Sequence, residues 1–164
     1  MGAPSLAAGC SRFAPESCPS AVAYPLGVTD KLVILRAVPL FADLDERSLQ
    51  AVAVLANEVS FKAGDAVMLE GEPGAAFYVI ADGTVRVERG GRTIRSMTAG
   101  GFVGEIALLD QGPRTATVTA VADVRALQIR AHEFERLLDT MPAVYRRIRA
   151  AVDRRSRGRD WEAV

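Results

Sequence analysis

"VGEIALLDQGPRTATV", Val103 to Val118, sets the acid Glu105 and the base Arg114 nine positions apart in a largely apolar, glycine-bounded segment. Glycine at 104 permits close backbone approach, and a Gly-Glu-Ile-Ala turn that opens a short helix leaves free N–H groups pointing outward. Such groups bind anions. An arginine beside them adds charge and paired donors, a geometry suited to phosphate. A nearby carboxylate repels phosphate but accepts hydrogen bonds from hydroxyls. The residue types therefore suit a ligand with an anionic end and a neighbouring sugar diol, which describes a nucleotide with one phosphate.

The flanks of this segment read as strands. Upstream, "EVSFKAGDAVMLEGEPGAAFYVIADGTVRVERGGRTIRSM" contains short β-branched and aromatic runs separated by glycine. Asp82-Gly83, between "FYVIA" and "TVRVE", is a two-residue hairpin signal, and Gly90-Gly91 is a second turn. In "TVRVER", Val85 and Val87 alternate with Arg86 and Glu88, as in a half-buried strand. Downstream, "TATVTAV" and "RALQIR" predict two more. Closely spaced short strands with glycine turns argue for a sandwich or jelly-roll barrel.

Helical patterns stand on either side. Pro39 breaks the apolar run after Lys31, and Asp45 is a candidate N-cap for a helix whose Leu49, Val52 and Ala53 share a face. Near the end, Phe134, Leu137 and Leu138 have helix spacing, Pro142 punctuates, and Val144, Ile148, Ala151 and Val152 form a second stripe. The expected class is α+β and mainly β: a β-roll or jelly-roll barrel with a leading N-terminal helix and two C-terminal closing helices. Residues 1–29, rich in Ala, Ser, Pro and Gly, read as a disordered or loosely packed arm. The domain is placed at 30–164, with the roll over about 57–130 and the closing helices over about 131–160.

Composition bounds the function. The chain has 164 residues, 49% hydrophobic and 24% charged, with a formal net charge of zero. Bulk electrostatics suggest neither nucleic acid nor an anionic membrane as partner, and no apolar run approaches the roughly 18 residues of a membrane helix. Cys10 and Cys18 both fall in the first twenty residues. A disulfide there would close only a small loop outside the core, so a reduced, cytoplasmic setting is expected. "LAAGC" at Leu6–Cys10 is similar to a lipoprotein cleavage site but lacks a preceding basic residue and a long apolar stretch.

"GEIALLDQGPRTATV" resembles the phosphate-binding cassette of the cyclic-nucleotide-binding domain family, which includes the bacterial catabolite activator protein, protein kinase A regulatory subunits and cyclic-nucleotide-gated channels. The resemblance covers roughly residues 32–160, and Gly64, Gly71, Gly74, Gly83 and Gly104 fall where the family's β-roll turns. It implies that Glu105 holds the ribose 2′-hydroxyl and Arg114 pairs with the cyclic phosphate. The N–H groups of Ala107 and Thr115 would complete the cradle, with Gly104, Ile106 and Ala116 as neighbours. It also implies a base pocket of Val87, Met97 and Val103, with Arg154 and Trp161 as candidates from the last helix. Two positions depart from the family's pattern: Gly101 stands where an acid is usual and Val103 where an aromatic is frequent, which implies altered packing rather than loss of the site. In eukaryotic relatives a Thr after the cassette arginine favours cGMP through a bond to syn guanine, yet some members with this Thr prefer cAMP. The expected ligand is cAMP, with cGMP as the alternative.

Three functions compete. The first is a non-catalytic sensor whose closing helices move on ligand binding and are read by a protein effector or by self-association through the C-terminal helix. The second is the ligand-binding part of a catabolite-activator-type transcription regulator, whose DNA-reading domain is absent from this sequence. The third is a cupin-like enzyme, for which several converging histidines are needed, whereas the sequence holds only His132. No metal or catalytic set is expected. The arginines of "YRRIRAAVDRRSRGRDW" read as a solvated helix face, with a nucleic-acid role as the lesser alternative. The sensor reading accounts for most of the residues.

Overall fold

The computed structural model describes residues 26–157. Two helices, α1 (Val28–Arg36) and α2 (Glu46–Leu55), lead into β1 (Asn57–Phe61), β2 (Ala66–Met68), β3 (Ala76–Asp82), β4 (Val85–Arg89), β5 (Arg92–Met97) and β6 (Phe102–Val103). A short helix, α3 (Glu105–Leu109), follows, then β7 (Thr117–Ala120), β8 (Val124–Arg130), α4 (Ala131–Thr140) and α5 (Pro142–Ser156). The strands form two four-stranded sheets, ordered β1-β8-β3-β6 and β2-β7-β4-β5. Every pairing is antiparallel. The mainly-β α+β class expected from the sequence is the class the chain adopts.

Strand β3 explains the layering. Side chains alternate faces along a strand, and in "AFYVIAD" five consecutive positions are buried. Phe77 and Val79 join the helices in one core, while Ala76, Tyr78 and Ile80 face the second sheet in another. Strand β8 repeats this, with Leu127 and Ile129 towards the helices and Val124 and Ala126 between the sheets. Phe77 stacks on Phe134 of α4 with ring centroids 4.9 Å apart, and Phe41 and Phe102 complete the cluster. Gln128, buried between the sheets, donates Nε2–H to the Tyr78 hydroxyl at 3.3 Å.

Two expectations need correction. Asp82-Gly83 is not a hairpin turn: β3 pairs with β6 and β8, whereas β4 pairs with β5 and β7. Both edges of β3 are already taken, so the chain turns a corner there and enters the other sheet. Gly83 has φ +94°, and a Cβ on it would stand 2.4 Å from the Asp123 carbonyl oxygen. Gly90-Gly91 does close a two-residue hairpin, with Arg89 opposite Arg92 and both glycines at positive φ, as a type I′ turn requires. The second correction concerns the arm. Helix α1 opens at Val28, inside the stretch read as arm, because the Asp30 carboxylate accepts from the Gly27 N–H at 3.1 Å and completes the first turn. The Leu26 N–H donates to Glu58 at 2.7 Å.

The C-terminal helices bury the residues their stripes predicted, Phe134 and Leu137 on α4 and Val144, Ile148, Ala151 and Val152 on α5. Pro142 is the first residue of α5, where its missing N–H costs nothing. Among the described residues no helix is long and apolar enough to cross a membrane.

Candidate functional site

Gly104 stands between β6 and α3 with φ +96°. A Cβ there would lie 2.7 Å from both the Ala76 carbonyl oxygen and Arg114 Nη1, so only glycine lets the arginine seat. Arg114, 5% exposed, donates from Nη1 to the Gly104 carbonyl at 3.0 Å and from Nη2 to the Ala76 carbonyl at 2.6 Å. Its backbone is stitched to the stretch before β3: the Arg114 N–H donates to Glu72 O at 2.8 Å, and the Gly71 N–H to Arg114 O at 2.9 Å. Burial draws the Arg114 pKa down from its ordinary value, opposed by Tyr78, Glu105 and Glu72.

Glu105 is the first residue of α3 and wholly buried. Its Oε1 accepts from Nη1 of Arg155 on α5, whose Nη2 donates to the Phe102 carbonyl at 3.1 Å. The Arg155 guanidinium also lies 4.5 Å above the centre of the Phe102 ring, a cation–π contact. The other carboxylate oxygen, Oε2, is buried without a hydrogen-bond partner among the described residues. Desolvation raises the Glu105 pKa above its ordinary 4.5, with the Arg155 and Arg114 charges and hydrogen bonds opposing it.

These groups converge on a small hollow of about 20 Å³, which Val87, Val103, Gly104, Glu105, Ile106, Ala107, Arg114, Thr115 and Ala116 all line. A water needs roughly 10–15 Å³ of such space, so the hollow takes about one water and no nucleotide while Arg155 stays in place. A wider groove of about 550 Å³ runs along the other side of α3, past Gly74, Leu108 and Pro113, but no buried charge faces it. The chemistry lies in the smaller hollow.

Two base-pocket expectations fall elsewhere, and a third is not described. Met97 lies one step deeper between the sheets, opposite Val85, and does not line the hollow. Arg154 is exposed, whereas Arg155 enters. Trp161 lies outside the described residues. Two lining residues were missed, Met68 and Arg155. Arg155 follows Ile148 by two helical turns and Ala151 by four residues, so the phase of the apolar stripe pointed to it rather than to Arg154. Met68 gave no such signal, because β2 has only three residues and a register shift.

The family model of the cyclic nucleotide-binding domain matches residues 58–141, from β1 to the residue after α4. The chain belongs to the cyclic nucleotide-binding domain family. A cAMP-dependent protein kinase regulatory subunit of Hypocrea atroviridis is 32% identical over 115 residues, 70% of this chain and 25% of that protein. Among solved structures, cAMP-bound PfPKA-R has a TM-score of 0.73 at 27% identity, over 80% of this chain and 47% of that one. The Thermus thermophilus catabolite activator protein has 0.68 at 31%, over 76% and 61%. This cyclic nucleotide-binding domain thus spans well under two thirds of the curated relatives it matches. Its family match ends at residue 141, so Arg155 stands on the part of the chain beyond it.

Proposed function

We propose that this chain is a non-catalytic sensor of a purine cyclic nucleotide, with the two sheets acting as the family's β-roll and α4 and α5 as its closing helices. The observation that carries the reading is the pairing of unlike groups at one hollow: the Arg114 guanidinium and the partnerless Oε2 of Glu105. Arg114 and the first-turn N–H groups of α3, Ala107 among them, would hold the cyclic phosphate. Glu105 Oε2 would accept from the ribose 2′-hydroxyl, which removes the cost of an unsatisfied buried acceptor. Relatives that are cAMP-dependent kinase regulators or hold cAMP support that ligand, with cGMP as the alternative through Thr115.

The size of the hollow supplies the output. Entry of a nucleotide requires Arg155 and the end of α5 to shift, and the ligand displaces that equilibrium by its differential affinity for the two arrangements. A protein effector would read the new position of α5. Likeness to the catabolite activator protein favours a second output, control of a DNA-binding domain. Calorimetric titration with cAMP and cGMP tests the reading. Wild type should bind one of them at micromolar concentration or tighter, and Arg114→Ala should lose about 2–5 kcal/mol, the loss expected when a buried charge pair is truncated. No heat and no thermal shift with either nucleotide would defeat the reading.

A further inference from the structure

A cleft of about 170 Å³ lies between α2 and α4. Ala51 and Leu55 of α2, Leu137 of α4 and the following Met141 give it apolar walls, and Glu133 and Arg136 supply its charged groups. Leu55 and Met141 pack on the helical core yet remain only partly buried, and Val54, beside Leu55 in the sequence, is exposed. The described chain begins close to this cleft. The Leu26 N–H donates to Glu58, three residues past Leu55, at 2.7 Å, and Lys31 Nζ donates to the Ala56 carbonyl at 2.6 Å. The start of α1 is therefore fastened to the C-terminal end of α2, and Leu26 itself packs on the helical core. The five residues ahead of it, 21–25, read "AVAYP" and carry no charge.

We propose that residues 21–25 occupy the α2–α4 cleft as an extended strap, with Tyr24 and Val22 turned inward. A residue that precedes proline favours extended backbone, which is the position of Tyr24. Side chains alternate along an extended run, so Val22, Tyr24 and Leu26 share one face, and Leu26 already points into the core. The spacing also fits. Two extended residues advance roughly 6.6 Å, while the four-residue step from Ala51 to Leu55 advances about 6 Å along the helix. Tyr24 and Val22 thus meet successive turns of α2. From Leu26, four extended residues reach roughly 13 Å, enough to cover that step. Tyrosine suits the cleft because its ring is apolar and its hydroxyl needs a polar partner, which Glu133 and Arg136 offer. A short tether holds the strap at an effective concentration on the order of millimolar, so a weak contact suffices to keep it seated. The strap stands apart from the nucleotide hollow, and failure of either reading leaves the other intact.

Nuclear Overhauser spectra of the full chain test the placement. Tyr24 ring protons should show contacts to the methyl groups of Leu55, Leu137 and Met141. In a mixture of isotope-labelled and unlabelled chains these contacts should arise within one chain, at every protein concentration. Contacts seen only between chains would assign the cleft to a second copy and overturn the proposal. Absence of any Tyr24 contact to these methyls would overturn it too, leaving the cleft to another protein. Denaturant unfolding gives a second measurement. Tyr24→Ala should lower the folding equilibrium constant about fivefold. Ala51 is an exposed position on the cleft wall, and with Ala51→Asp in place Tyr24→Ala should cost nothing further, because the contact is already broken. A Tyr24→Ala loss that persists undiminished in the Ala51→Asp background would place the tyrosine elsewhere and overturn the proposal.

Discussion

Gly104 meets two demands that no other residue satisfies together, a positive φ and the absence of a Cβ beside Arg114 and Ala76. Gly104→Ala should cost about 1–3 kcal/mol from backbone strain, and the displaced guanidinium should abolish nucleotide binding; denaturant unfolding and titration read the two losses. Glu105 supplies a test with a definite sign. Its pKa is raised in the folded protein, so the native state holds this proton where the unfolded chain, at about the ordinary 4.5, has released it. The contribution of Glu105 to stability is fully present below that value and is lost as pH rises through the folded pKa. Compared with Glu105→Gln, wild type should lose unfolding free energy steadily as pH climbs from about 4.5, and thermal scans across that range would show it. Glu105 and Arg114 were legible in the sequence because a local motif holds both. Arg155 was not, because its approach depends on the phase of a distant helix.

At the scale of elements, α5 decides whether the hollow is open. The sequence suggested a solvated arginine face, but three of these arginines attach the helix to its surroundings. Arg147 donates to the Pro39 carbonyl at 2.9 Å and pairs with Asp43, Arg149 lies 3.4 Å from Asp110 beyond α3, and Arg155 pairs with Glu105. The Arg147 and Arg149 pairs are largely exposed, and pairs of that kind contribute roughly 0–1 kcal/mol each. The buried Arg155 contact is the one that locks. Arg155→Met keeps an apolar stem over Phe102 but removes the charge, so amide exchange along the last turns of α5 should accelerate while β3 stays protected. Unchanged α5 exchange would show that apolar packing alone holds the helix. Helices α2, α4 and α5 and the runs of strand were readable from periodicity, whereas α1, with Leu35 its one buried residue, was not. The Asp82-Gly83 corner was not, because a two-residue turn looks the same whether the next strand pairs with the last one or leaves for another sheet.

For the whole molecule, two cores share β3 and β8 as a common wall, and the hollow opens where β6 hands over to α3 at the edge of that wall. Ligand that binds only the folded chain stabilises it by mass action, about 2.7 kcal/mol at a hundred times Kd. The preferred nucleotide should therefore raise the unfolding midpoint in wild type and leave that of Arg114→Ala unmoved. The mainly-β class was legible because strand spacing, glycine turns and the cassette agree on it. The strand order was not, since nothing local records that Asn57 pairs with Gln128.

That strand order constrains how the chain is made. The second-to-last strand, β7, sits between β2 and β4, and the last, β8, sits between β1 and β3. Each sheet therefore lacks an interior strand until the ribosome has delivered residues 117–130. Before that point β1 and β2 have no partners, and only the β4–β5 hairpin and the β3–β6 pair can form. Vectorial synthesis cannot complete this domain piece by piece: nascent chains stalled before Thr117 should be protease-sensitive throughout, and resistance should appear in one step once β8 has cleared the exit tunnel.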